Sequence, residues 1–364
     1  GLLQVAVLRD PTTGGVFASH VNLADVVFAQ PGATIGFAGP RVAEAMTEGP
    51  LPEGSHTAEG ARAAGLVDEV VPLEALPEVL GRLLAWPGAT EPRPVAAPDG
   101  HVGESRGAWE EVQRARDPGR PTADAYLDRV DVAAELRGDR SGDDDPTIRV
   151  ALARIEGRPV VLVAMDRRRA KGRVTPGGYR KAWRGLRLAD RMGVPVVTLV
   201  DTPGADASAA SEAGGIAHHI SATFAEVLAV RTPVVAVTIG EGGSGGALAL
   251  AVGDRLLIQE HAVFGVIGPE GAAAILHRDA SRAAEVAELL KPTARELERL
   301  GIADEVVPEP AGGEVDAVLS AVCRHLDELA GAAPEQRLSA RLDRWRGVAR
   351  PSDAPESAAT GAAP

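Results

Sequence analysis

Cysteine is almost absent: Cys323 is the single one among 364 residues. That excludes an intramolecular disulfide and a cysteine-built zinc site within these residues. Cys323 stands at apolar spacing in GGEVDAVLSAVCRHLDELAG, a helical pattern in which a buried core thiol is expected. Aromatic residues amount to 3%, so Val, Leu, Ile and Ala must build the core. No uninterrupted apolar run reaches the roughly 18 residues of a membrane span. The first ten residues, GLLQVAVLRD, lack the charged and apolar regions of a signal peptide. A soluble cytoplasmic protein is therefore expected. Positive charge is the scarcer sign: 38 Lys+Arg against 51 Asp+Glu leave a formal charge of -13. This disfavours nucleic acid and anionic membranes as partners, although a local basic patch can still serve a small anionic ligand. The length suggests two domains rather than one.

What is present is a repeat. GFAGPRVAEAM (36–46) matches GVIGPEGAAAI (265–275), and GLVDEVVP (65–72) matches GIADEVVP (301–308). Further back, TTGG at 12–15 meets GSGG at 243–246, which sets Thr13 against Ser244 and Gly14-Gly15 against Gly245-Gly246. Between the copies, the Pro/Gly-rich, aperiodic stretch 86–107 reads as a linker. The second copy has over a hundred residues ahead of its glycine turn and the first has thirteen, so the first domain is expected to begin part-way through its fold. In the second copy two strands recur for each helix, which predicts an α/β spiral rather than a doubly wound sheet. APESAATGAAP at the C-terminus reads as a disordered tail.

The glycine turn, GEGGSGGALALAVGD (240–254), follows the strand-like PVVAVTI and fits several patterns. Gly240, Gly242 and Gly245 spell GxGxxG with Glu260 twenty residues on, but about two helical turns before the next strand are too few for a dinucleotide crossover. Gly242, Ser244 and Gly246 spell the GxSxG elbow of a serine hydrolase, with His261, His277 or His325 as the base, yet Pro11 replaces the first glycine in the other copy. Ala247 stands where a phosphate loop needs lysine. Close strand–helix packing would also account for the glycines. Gly-Gly at a helix start can expose backbone N–H groups to a ligand oxygen, with the helix dipole behind them. That arrangement is an oxyanion hole, and two copies imply two anions. His218-His219 lies in an amphipathic helix and reads as surface or core edge.

These residues resemble a known family, the carboxyltransferase component of acetyl-CoA carboxylase, of the crotonase superfamily. LRDPTTGGVFASHVNLADVVFAQPGATIGFAGPRV looks like the C-terminal part of the beta subunit; AWEEVQRARDPGRPTADAYLD, AELRGDRSGDDD, KGR, PGGYRKA, VDTPGA, IGEGGSGGALALAVGD and VPEPAGG look like the alpha subunit. The order resembles a beta–alpha fusion. The resemblance implies an α/β chain of two crotonase-like domains: 1–85 beta-like and incomplete at its N-terminus, 86–123 a linker and connecting helix, 124–348 alpha-like, and 349–364 a tail.

The resemblance also implies chemistry. A carboxyl group would pass from carboxybiotin on a carrier protein to acetyl-CoA, giving malonyl-CoA. Gly14 and Gly15 would hold the thioester enolate, and Gly245 and Gly246 the biotin oxygen. Thr13, Gly39, Arg41, Ser244 and Gly268 would line the substrates. The coenzyme A phosphates call for a basic cluster, and Arg167, Lys171, Arg173, Arg180 and Lys181 are the candidates, alongside Arg168, Arg169 and Arg184; a solvated face is the other reading of such a run. Partners would be a biotin carboxyl carrier protein, a biotin carboxylase and at least one further copy of the chain. Zinc enters only if a four-cysteine ribbon exists upstream. The alternatives are a biotin-independent decarboxylase of malonyl-type thioesters and a noncatalytic assembly subunit. Shortened segments after KGR and VDTPGA leave acyl preference open.

Overall fold

The computed structural model describes residues 1–47, 50–88, 90–93 and 100–348. The tail at 349–364 and the middle of the linker lie outside the described residues.

The first copy supplies short strands of branched residues: β1 (Val5–Leu8), β2 (Thr12–Thr13), β3 (Val26–Ala29), β4 (Ile35–Gly36) and β5 (Glu69–Val70). β1, β3 and β5 form a parallel sheet in that order, while β2 and β4 form a separate parallel pair. Two helices, α1 (Pro40–Met46) and α2 (Ala58–Ala63), stand between β4 and β5, and α3 (Leu76–Ala85) follows β5. All of β3 is buried, as expected for a strand covered on both faces.

In the second copy α4 (Ala108–Ala115) and α5 (Ala123–Arg129) precede β6 (Asp131–Leu136), β7 (Ile148–Ile155) and β8 (Arg158–Met165). β7 and β8 form a hairpin that turns at Glu156-Gly157, both at positive φ, 46° and 83°; such turns match the twist of the flanking strands. Then come β9 (Arg173–Val174), α6 (Pro176–Met192), β10 (Val196–Thr202), β11 (Gly204–Ala205), α7 (Ala209–Ala213), α8 (Ile216–Ala229), β12 (Val234–Gly243), α9 (Ser244–Ala251), β13 (Arg255–Gln259) and β14 (Val263–Gly265). The remainder is α10 (Pro269–His277), α11 (Ala283–Leu290), α12 (Ala294–Arg299), β15 (Glu305–Val307), α13 (Glu314–Ala330) and α14 (Pro334–Val348).

The main sheet runs β15-β13-β12-β10-β8-β7-β6, parallel from β15 to β8 and antiparallel across β8-β7-β6, with β14 pairing the end of β12. Alternate residues of its strands feed two cores. One face meets α6, α8 and α9; the other meets α5 and α13, where Cys323 is buried. Val26 and Phe28 of the first copy share a core cluster with Leu136, Ile148 and Val150. Trp86, read from sequence as the start of the linker, is 1% exposed, and its indole N–H donates to the carbonyls of Ala153 (2.9 Å) and Val160 (3.2 Å). Burial of so large a side chain with its N–H satisfied anchors the linker's first residue in the second copy's hairpin. No helix among the described residues is long and apolar enough to cross a membrane.

Candidate active site

The repeat is realised at the ends of two strand pairs. Thr13 of β2 pairs with Gly36 of β4, and Gly243 of β12 pairs with Gly265 of β14. Gly39 and Gly268 then cap α1 and α10 in matching extended conformations, each followed by a proline (Pro40, Pro269). Strand pairing therefore sets Thr13 against Gly243, one residue off the alignment by letter identity. Gly14 then falls opposite Ser244, and both are left-handed, with φ of 65° and 58°. Sequence comparison matched glycine to glycine and missed that a serine fills the left-handed position in the second turn.

The shift changes which amides are open. The Gly14 N–H donates to the Phe37 carbonyl at 2.9 Å, a bond that draws the 37–39 segment against the turn. The next amide, that of Gly15, has no acceptor among the described residues and stands exposed. In the second turn Ser244 is exposed, Gly245 half-buried and Gly246 buried. The N–H groups of Gly245 and Gly246 lie in the first turn of α9, ahead of that helix's own hydrogen-bond ladder.

Neighbours hold the second turn tightly. A Cβ on Gly246 would come within 2.5 Å of the Ala205 backbone nitrogen, so only glycine fits there. The Tyr179 hydroxyl donates to the Gly246 carbonyl at 3.1 Å, and burial pushes that phenol upward, keeping it a donor. Thr198 on β10 donates to the Leu250 carbonyl at 2.7 Å, tying α9 to the sheet. Behind the turn, Arg116 grips Glu241 with two bonds (2.9 and 2.7 Å) and Glu270 of α10 with two more (2.6 and 3.4 Å). Burial works against the Arg116 charge, and the two carboxylates outweigh it. Arg116, Glu241 and Glu270 were not singled out from sequence; Glu241 lies inside the glycine motif, but its partner is 125 positions away in the chain.

The basic candidates divide into two sets. Arg167 donates to the Ala115 and Arg116 carbonyls. Arg180 binds Asp139 (2.7 and 2.6 Å) and approaches His219 (3.1 Å). Lys181 is 1% exposed, donates to Asp144 at 2.5 Å and to the Asp145 carbonyl at 3.1 Å, and is held below the usual lysine range by burial. Arg41, Lys171 and Arg173 are exposed, and their side chains form no hydrogen bond or ion pair with the described residues.

Of the three histidines offered for a hydrolase, His261 and His325 are engaged with carboxylates, while His277 Nε2 is buried without a hydrogen-bond partner among the described residues. His261 meets Glu111 at 2.9 Å, a hydrogen bond that raises its pKa, and His325 meets Glu305 at 2.8 Å. The Ser244 hydroxyl has no hydrogen-bond partner among the described residues. His219 stacks on Trp183 with ring centroids 5.3 Å apart, as a helix-surface contact would.

The largely parallel main sheet and the strand pairs that end in duplicated turns agree with the crotonase-like α/β fold expected, and a solved structure shares it. A subunit of transcarboxylase 12S, solved with methylmalonyl-coenzyme A and methylmalonic acid bound, superposes with a TM-score of 0.71 at 21% identity over 90% of this chain and 65% of that one. The family model described as acetyl co-enzyme A carboxylase carboxyltransferase-like matches residues 101–349, and the chain belongs to that family. It is 46% identical to the acetyl-coenzyme A carboxylase carboxyl transferase subunits beta/alpha of Salinispora arenicola, over 95% of this chain and 66% of that protein. It is also 46% identical to the carboxyl transferase subunit alpha of Deinococcus radiodurans, over 66% of this chain and 81% of that protein. The chain thus spans just under two thirds of the fused relatives' length.

Proposed function

We propose that this chain carries the carboxyltransferase step of a biotin-dependent acyl-CoA carboxylase, with acetyl-CoA as acceptor and malonyl-CoA as product. The observation that carries the reading is the pair of turns, one in each copy of the repeat, that leave backbone N–H groups open beside a left-handed residue. Fixed amide donors favour a negatively charged oxygen without reorganising, and each is worth on the order of 100-fold or more in rate.

The Gly15 amide, with Gly14 shaping the turn, stabilises the enolate oxygen of the thioester. The Gly245 and Gly246 amides hold the ureido oxygen of biotin, which supplies the carboxyl group and, once decarboxylated, the base. Thr13 and Ser244 border these donors. Gly39 and Gly268 start the helices that flank them; the Gly14–Phe37 bond supports this for the first turn. Arg41, Lys171 and Arg173, whose side chains make no hydrogen bond or ion pair with the described residues, meet the coenzyme A phosphates, while Arg167, Arg180 and Lys181 shape the site by holding carbonyls and carboxylates in place.

The partners are a biotin carboxyl carrier protein, a biotin carboxylase and a second copy of the chain, in the cytoplasm. Matched apolar exposure supports self-association: Phe37 and Val266, 72% and 74% exposed, follow the paired glycines of the two copies, and Met46 (80%) and Ile275 (72%) lie in the last turns of α1 and α10.

The test uses the full-length protein with malonyl-CoA, with and without free biotin. Release of the carboxyl group that requires biotin is the expected result. Equal release without biotin would indicate a decarboxylase, and no release in either case an assembly subunit.

A further inference from the structure

Where β10 and β12 run side by side, their register breaks once. Val200 pairs with Thr238 and Thr202 with Gly242, so a single residue of β10, Asp201, faces three of β12: Ile239, Gly240 and Glu241. A bulge of this kind bends a strand and removes N–H and C=O groups from the ladder. Here the bend carries β12 out of the main sheet towards β14 and the Gly245–Gly246 turn. Asp201, 1% exposed, accepts the Glu241 N–H at 3.0 Å. On the other side Arg120 donates to the Ile239 carbonyl at 2.9 Å. Gly240 has no room for a side chain, because a Cβ there would lie 2.3 Å from Asp201 Oδ1. The nearest cation, Arg167, is 3.8 Å away and engaged with the Ala115 and Arg116 carbonyls.

We propose that Asp201 is a positioning residue for carboxyl transfer: by taking the place of a ladder partner at the bulge, its carboxyl group aims the Gly245 and Gly246 amides at the oxygen they hold. This rests on the carboxyltransferase reading.

Several charged or titratable groups face it. Arg167 after β8, Arg120 between α4 and α5, and the Glu241 backbone favour the carboxylate, while the Glu241 side chain opposes it; Tyr126 of α5 also feels its charge. Burial dominates and pushes the Asp201 carboxyl up to about 7. The acceptor therefore persists in both forms, but above neutrality a negative charge stands behind amides that must receive an anion.

The experiment is steady-state carboxyl transfer by the full-length protein with free biotin and malonyl-CoA, using Asp201→Ala, Asp201→Asn and Gly240→Ala, with folding checked by circular dichroism. Asp201→Ala should lower kcat about 10- to 100-fold and leave KM for malonyl-CoA near wild type. Gly240→Ala should do the same, and the double variant should be no worse than the weaker single, because both changes act on one bulge. Asp201→Asn keeps an acceptor oxygen and cannot ionise, so the ratio of wild-type to Asn kcat should fall as pH rises through about 7. A folded Asp201→Ala protein with wild-type kcat, or a ratio flat from about pH 6 to 8, overturns the inference. A wild-type protein that never requires biotin would instead overturn the carboxyltransferase reading itself.

Discussion

Gly14 and Ser244 occupy the same place in two turns, each following the last paired residue of its strand and each left-handed, at φ 65° and 58°. For a serine that conformation carries strain that glycine lacks. Ser244→Gly is expected to fold normally, retain turnover and gain up to about 1 kcal/mol of stability. Ser244→Val, β-branched at a left-handed position, is expected to lose both. Thermal melts and transfer assays on the two variants check this; a serine nucleophile would make Ser244→Gly inactive.

The two turns also differ in the room around their second glycine. A Cβ on Gly15 meets nothing within 4 Å, whereas one on Gly246 meets the Ala205 nitrogen at 2.5 Å. Gly15→Ala should change stability by less than about 0.5 kcal/mol. Gly246→Ala should cost about 1–3 kcal/mol, together with most of the turnover, as chemical denaturation and kinetics will show.

The split among the basic residues predicts two phenotypes. Lys181→Met removes the buried cation from the Asp144 carboxylate, which keeps the Gly138 N–H at 2.8 Å and Arg137 at 3.6 Å, and should destabilise the fold by about 1–3 kcal/mol. Lys171→Ala and Arg173→Ala should leave melting temperature unchanged and raise KM for the CoA thioester several-fold. Removing the 3′-phosphate from the substrate should shrink that difference if these side chains touch it.

Acid stability should depend on Glu305, which joins β15 to α13. Burial would raise its carboxyl, but His325 and Arg324 overcome that and hold it at about 2, against 4.5 for a free glutamate. The folded value lies below the unfolded one, so the contribution is present above pH 4.5 and disappears as pH falls towards 2. Glu305→Gln should lower stability at neutral pH by on the order of 2 kcal/mol and flatten the acid limb. Denaturation midpoints between these limits decide it.

Much of this architecture was legible in the sequence because its signals are local. The strand-like run PVVAVTI became β12, and the repeated GFAGP and GVIGP segments became the matching starts of α1 and α10. Three features were not legible. The one-residue offset between the turns was hidden because the alignment follows letters while the backbone follows φ, and a serine had taken a glycine conformation. The engagement of Arg167, Arg180 and Lys181 was hidden because their partners come from distant parts of the chain. Trp86 looked like linker because proline and glycine surround it; only the tertiary fold supplies the Ala153 and Val160 carbonyls.

The most direct measurement is a crystal structure of the assembled full-length protein with free biotin and a CoA thioester bound. The account predicts the thioester oxygen within hydrogen-bond distance of the Gly15 nitrogen, and the ureido oxygen within the same distance of the Gly245 or Gly246 nitrogen. Both oxygens bound elsewhere, with those amides facing only solvent or protein, would contradict it.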